Sequence, residues 1–306
     1  MMIVSIHEGS TCDRFGPEKG YAMLKRAGID GIQFGMGHYL MPGKVVRAGG
    51  PSIMDEPLET IIEAVRPYKE AADKAGIVVS QVHAPFPVWV EYSEDINRRM
   101  IDITRKAIAV TEYMGSHQCI IHPAAPQENN KRLSDEEEWA INKAIYTALI
   151  PDLKQHHVMG LLENMFSRGD EGTRFASVCS DFYEAARWID ELNEIAGEEL
   201  FGFCFDTGHC HLARENVYRA VKLMGPRIKA LHMHDNAGHL DQHVAPYTGT
   251  LDWEGFLRGM KEIGYRGDLN FEAPNAIDKY PPEMAEECLR LLAAVGRYFE
   301  KRITEE

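Results

Sequence analysis

Short apolar runs alternate along this chain with longer segments whose apolar residues recur every three or four positions. The first pattern predicts buried strands and the second amphipathic helices. MIVSIH (2–7) opens the series as a strand, and a helix follows over 16–28, stopped by Gly28. DGIQF (30–34) is strand-like; a long loop over 35–57 then leads to a helix over 58–76. Further strands are predicted at 78–86, 118–123, 158–165, 201–209, 228–236 and 267–274. Helices follow them at 95–115, 134–157, 180–193, 216–225, 252–264 and 281–303. Ser134 with Glu137 three residues on has the spacing of a capping box, and Pro151 is expected to kink or divide its helix.

Eight strand–helix units imply a parallel sheet. At this length the expected architecture is a closed (β/α)8 TIM barrel, one domain over residues 1–306. An open doubly wound sheet is the alternative, but no GxGxxG follows any of the strands. No stretch rich in Pro, Gly or Ser divides the chain.

The 306 residues are 44% hydrophobic and 26% charged, enough apolar content for a sizeable core. No apolar run is long enough for a membrane span, and MMIVSIHEGS lacks the form of a signal peptide. The formal net charge of −14 disfavours nucleic acid, whose binding draws on basic surfaces. Six scattered cysteines without a CxxC pair fit reduced thiols and a cytoplasmic setting.

The chemistry gathers at the strand ends. His83 ends the third strand, His122 the fourth and Glu163 the fifth. Asp206 and His209 end the sixth, His232 and His234 the seventh, and Glu272 the eighth. In a barrel all C-terminal strand ends meet at one face, so residues far apart in sequence converge in one mouth. Burying several carboxylates together is costly unless a cation compensates, which predicts a metal site. LHMHDNAGHLDQH (231–243) forms part of its wall. His232 and His234, two apart, share a face; Asp235 faces away, into a structural hydrogen bond. Asp241 and His243, with His209, could build a second metal position or orient a ligand; a polar loop pinned by Asp–His hydrogen bonds is the alternative.

VHAPF, IIHP, LLENM, FDTGH, LHMHDN, DQH and LNFEAP, taken in this order, resemble the xylose-isomerase-like barrel superfamily. That group holds sugar isomerases and epimerases together with apurinic/apyrimidinic endonucleases. The resemblance to its epimerase branch implies a metal held by Glu163, Asp206, His232 and Glu272. The endonuclease branch adds ligands for three zinc ions, at positions matching His83, His122, His209, Asp241 and His243. Ketose 3-epimerases carry an Arg six residues after the strand-seven His, where this chain has Gly238. Loops entering a DNA groove are not evident; HYLMPGKVVRAGG (38–50) offers only Lys44 and Arg47.

Such a donor set suits Mn²⁺ or Zn²⁺, one ion for epimerase chemistry and up to three for a nuclease. The expected reaction is isomerisation or epimerisation of a sugar or sugar phosphate through an enediolate. Glu163 and Glu272 move the protons from opposite sides. His209 or His234 would contact substrate, Arg168 and Arg174 a phosphate or carboxylate, and Trp89 with Phe86 an apolar sugar face. A metal-cluster phosphodiesterase is the rival function. A barrel that binds sugar without chemistry has no need of two opposed bases. A homo-oligomer is a further possibility for this group.

Overall fold

The computed structural model describes residues 1–125, 127–128, 131–168 and 174–305. Eight strands form the barrel: β1 Val4–His7, β2 Gly31–Gly35, β3 Val78–His83, β4 Gln118–Ile120, β5 Met159–Glu163, β6 Phe201–Asp206, β7 Ile228–His232 and β8 Leu269–Phe271. Neighbours in sequence are neighbours in the sheet, all parallel, and β8 pairs back onto β1. The circle closes between β7 and β8 through one bridge at the mouth. There Met233 N donates to the Asn270 carbonyl (2.9 Å) and Glu272 N to the Met233 carbonyl (3.1 Å).

Each strand is followed by a long helix: α1 Gly9–Ala27, α2 Leu58–Ala75, α3 Glu94–Tyr113, α4 Asp135–Gln155, α5 Phe182–Ala196, α6 Val217–Met224, α7 Trp253–Glu262 and α8 Ala285–Thr304. Their apolar faces cover the barrel; Trp188, Phe203, Phe256 and Phe299 are among the largest side chains wholly buried there. The expected (β/α)8 barrel is therefore what the chain forms.

The differences are local. α1 begins seven residues earlier than its periodicity predicts and is broken at Gly16, whose φ of 74° leaves the helical region. Residues 35–57 are not a plain loop but carry two short helices, Met36–Tyr39 and Gly43–Arg47, and a 3-10 turn at Ile53–Asp55. α4 has the predicted capping box of Ser134 and Glu137, yet Pro151 neither kinks nor divides it. Pro151 is exposed, near the helix end, so the bond it omits lies on the outer face while Leu149 and Leu153 stay buried within. The barrel strands from β3 onward stop two to four residues short of their predicted ends, where polar side chains leave the ladder for the mouth.

Candidate metal centre

β5 ends in Glu163, β6 in Asp206 and β7 in His232, and Glu272 directly follows β8. Asp206 also begins a short helix, Thr207–Leu212, by accepting a bond from His209 N (2.7 Å). That turn swings His209 back over the site, so His209 belongs to a helix rather than to the predicted strand. Asn164 locks the arrangement: it exchanges two bonds with the Asp206 main chain (2.8 and 2.9 Å), and its own carbonyl accepts from His209 Nδ1 (2.9 Å). Gly208 is required in this turn, because a Cβ there would lie 1.9 Å from the His234 ring.

His232 Nδ1 is the centre of the carboxylates. It lies 3.1 Å from Glu163 Oε1, 3.4 Å from Glu272 Oε2 and 3.9 Å from Asp206 Oδ2. Glu163 and Asp206 are wholly buried, whereas the Glu272 side chain keeps 16% of its surface exposed and faces the mouth. On one side, Glu163 Oε2 meets His122 Nε2 at 3.1 Å and His83 Nε2 at 3.8 Å. On the other, ligand atoms of His209, His234, Asp241 and His243 all lie within 4.8 Å of one another. His234 Nε2 is 3.0 Å from Asp206 Oδ1, and its ring stacks on His243 at 3.9 Å. His232 and His234 thus both turn toward Asp206. Asp235 faces away, accepting from Trp253 Nε1 (2.8 Å) and the main chain of Asn236 and Leu251.

Three imidazoles are oriented through their outer nitrogen. Nδ1 of His83, His209 and His243 donates to the carbonyls of Ala84 (2.8 Å), Asn164 (2.9 Å) and Glu272 (2.7 Å). A carbonyl accepts only, so each Nδ1 carries the proton; Nε2 of His83 faces His122 and Glu163, and Nε2 of His243 faces Asp241. Metal-binding histidines are oriented in this way. His243 takes a left-handed backbone, φ 43°, to reach its place.

The carboxylates and imidazoles of the site shift one another strongly. Burial resists ionisation, yet the imidazoles of His232 and His122 hold Glu163 well below the usual carboxylate range. Glu272 is likewise depressed: burial opposes, and His232 and His243 prevail. Asp241 falls to about 2 for the same reasons, chiefly its bond with His243 against the pull of burial. In return His243, which burial would lower, is pushed up to about 10 by Asp241 and Glu272. Protons on the imidazoles fill the role that a divalent ion would take, and such an ion would displace them. Four buried or half-buried acids among six imidazoles, with His234 Nδ1 and Asp241 Oδ1 lacking any hydrogen bond, are a donor set that fits a borderline divalent metal.

The centre opens into a cleft of about 640 Å³. Glu163, Glu272, His83, His122, His209, Asp241 and His243 all line it, with Asp206, His232 and His234 directly behind. Phe86 lines it too. Trp89 does not; it packs against the core instead. Arg168 and Arg174 are also away from it, on a hairpin of Phe166–Arg168 with Arg174–Ala176. Arg168 is exposed there, and the Arg174 guanidinium sits 6.0 Å from the Phe166 ring. The hairpin contributes Met165 and Phe166 to the wall rather than its cations.

His7 and Gln33, also in the lining, end β1 and approach the end of β2. They escaped the sequence reading, although the rule that found His83 through Glu272 applies equally to the first two strands. Gln33 Nε2 donates to Glu272 Oε1 (3.1 Å).

Comparison with known proteins follows the geometry. An uncharacterized protein of Sinorhizobium fredii is 37% identical over 82 residues, 27% of this chain and 26% of its own length. An uncharacterized protein of Methanocaldococcus jannaschii is 28% identical over 64% of this chain and 65% of its own. The chain thus spans about a quarter and just under two thirds of these two relatives. A probable endonuclease 4 of Halalkalibacterium halodurans is 26% identical over 76% of this chain and 74% of its own. Among solved structures, a D-tagatose 3-epimerase-like protein superposes with a TM-score of 0.72 at 17% identity, covering 99% of both chains. A D-allulose 3-epimerase from Methylomonas sp., in complex with D-allulose, gives 0.68 at 17% identity over 98% of this chain and 97% of its own. At such identities the likeness speaks for the fold. Residues 21–295 match the family profile itself, and the chain belongs to the xylose isomerase-like TIM barrel family.

Proposed function

We propose that the protein is a divalent-metal-dependent isomerase or epimerase of a sugar or sugar-like polyol. The observation that carries this reading is the placement of His232 Nδ1 within 3.9 Å of carboxylate oxygens from Glu163, Asp206 and Glu272. These four would hold the ion. When bound, it would supply Lewis-acid polarisation of a carbonyl beside a hydroxyl and offset the charge of the enediolate.

The chain's own groups do the rest. Of the two glutamates lining the cleft Glu272 is the more exposed, ionised and fixed by Gln33, so it takes a proton from the carbon next to the carbonyl. Glu163, whose Oε1 lies 3.1 Å from the same His232 Nδ1, would take up a proton from solvent through the cleft it lines and deliver it, on the opposite face for epimerisation or at the neighbouring carbon for isomerisation, while Glu272 releases the proton it gained. The epimerase neighbours, one of which holds D-allulose, support this choice of substrate class. Glu272→Gln should abolish deuterium uptake from solvent into a ketose substrate, by about 10³-fold or more, in a folded protein. Exchange at the wild-type rate removes Glu272 from proton transfer.

One observation favours a second reading, a metal-cluster phosphodiesterase. His83 and His122 group with Glu163, and His209, His234, Asp241 and His243 form a further group, enough donors for three ions. The endonuclease 4 relatives point the same way, and the net charge of −14 points against a DNA partner. Metal analysis at saturation and a nicking assay on abasic DNA separate the two. One ion and no nicking support the isomerase; three ions with nicking support the nuclease.

A further inference from the structure

The cleft is larger than the chemistry proposed for it requires. Count each of the twelve heavy atoms of a hexose as a full water of ~30 Å³, a generous measure, and one sugar ring still fills little more than half of the space. The cleft itself measures about 640 Å³, within the range of pockets that enclose ligands of drug size.

The unused part has a different chemistry from the metal end. It is lined by Gly35, Gly37, His38, Pro42, Gly43, Lys44 and Phe86. No carboxylate is among these seven; Gly35, Gly37, Pro42 and Gly43 make a low shelf beside His38 and Lys44, with the Phe86 ring as its wall. Phe86 joins the two ends, 4.5 Å from the His122 ring and 5.3 Å from that of His83, and still keeps 38% of its surface exposed. Gly37 and Gly43 underlie it. A Cβ on Gly37 would stand 3.6 Å from the Phe86 ring, and one on Gly43 would meet the Phe86 carbonyl at 2.9 Å. The absence of side chains keeps the shelf flat. Lys44 stands exposed at its edge and forms no ion pair among the described residues.

The shelf is held in place rather than hanging as a loose loop. Tyr92 Oη donates to the Arg47 carbonyl (2.8 Å) and Arg99 to that of Gly50 (2.7 Å). Lys106 donates to three successive carbonyls, those of Met54, Asp55 and Glu56. Residues 47–56, which run on from the shelf, are thus fastened by α3 and by Tyr92 just before it.

We infer that the substrate is a sugar conjugate carrying a second, glycosidically linked ring, which lies on the shelf against Phe86 while the keto-bearing unit occupies the metal end. The C–H face of a pyranose is apolar and matches an aromatic face, and Lys44 is placed to meet ring hydroxyls. This rests on the isomerase reading for what happens at the metal end, but occupancy of the shelf is read by binding alone.

The test uses three probes that share one ketose: D-fructose, D-fructose 6-phosphate, and isomaltulose, which carries a glucosyl ring on the same O6. Binding of each to the full chain with Mn²⁺ present is measured by calorimetry. Isomaltulose should bind about tenfold tighter than fructose, a difference of ~1.4 kcal/mol. Phe86→Ala and Gly37→Leu should each collapse that ratio toward one, and Phe86→Tyr should preserve it. Equal binding of fructose and isomaltulose, tightest binding of the phosphate with dependence on Lys44, or binding of none overturns the inference. If isomaltulose binds as expected but takes up no deuterium, the shelf stands and the proton-transfer reading falls.

Discussion

The barrel interior has two unlike halves beneath one site. Under β8, β1, β2 and β3 the inward side chains are wired together. Ser5 Oγ donates to Asn270 Oδ1 (3.0 Å), Asn270 Nδ2 and Gln81 Nε2 both donate to Gln33 Oε1 (2.8 and 2.7 Å), and Gln33 passes the chain up to Glu272. Under β4, β5, β6 and β7 the same layer is Ile120, Leu161, Cys204 and Ala230, an apolar plug. The two glutamates therefore stand on different ground. Glu272 is steered from below by an amide, while Glu163 rises over hydrocarbon and is met only by imidazoles. The wired half fixes where the accessible acid points; the apolar half buries the deep acid, which would strengthen its hold on a cation.

The sharpest way to break this contrast is at the deep acid. Mn²⁺ at a hundredfold excess over its Kd should stabilise the wild type by ~2.7 kcal/mol. Glu163→Gln should remove that gain and reduce metal affinity by more than about a hundredfold, read by thermal melts with and without metal. An unchanged metal-induced shift would take Glu163 out of the ligand set. Next in size is Gln33→Leu, which leaves the amides of Gln81 and Asn270 without their acceptor and Glu272 without its donor. Urea unfolding should show a loss of roughly 3–5 kcal/mol.

Glu8 tests the wired side through pH. Burial pushes its carboxyl up to about 8, against the bond Oε1 accepts from Gly35 N (3.2 Å). The folded protein thus holds a proton that the unfolded chain releases above its ordinary value of 4.5. The stability this group contributes is complete below that value and is lost as pH climbs toward 8. Glu8→Gln keeps an acceptor and removes the titration. It should gain ~3 kcal/mol on the wild type between pH 5 and 8, and a pH-independent difference would refute the buried acid. The smallest effect belongs to the plug, where Ile120→Val should cost only ~1 kcal/mol. A loss there as large as that of Gln33→Leu would erase the distinction between the halves.

How much of this could be read in the chain differs between site and shelf. The period of strands and helices was legible because each element buries one face, and the polar strand ends from His83 to Glu272 were legible because they interrupt apolar runs. His7 and Gln33 carried the same signal more weakly, as single polar residues in short strands. The cleft wall built by residues 35–57 carried none. Gly37, Pro42 and Gly43 look like loop punctuation, and only the close approach of Gly37 and Gly43 to Phe86 gives them a place. Arg168, Arg174 and Trp89 were drawn to the site by their type, but type does not set direction. On the hairpin after β5 Arg168 is exposed and Arg174 sits over the Phe166 ring without lining the cleft, and the aromatic next in line after Phe86 goes to the core.

The seam at Met233 and Phe271 gives the metal centre a mechanical meaning. Among the described residues only there does the barrel sheet meet itself through a lone bridge, and His232 and Glu272 stand beside it. A cation shared by those two side chains would clasp the ring shut at that joint, so that loading the centre and completing the cylinder would become one event.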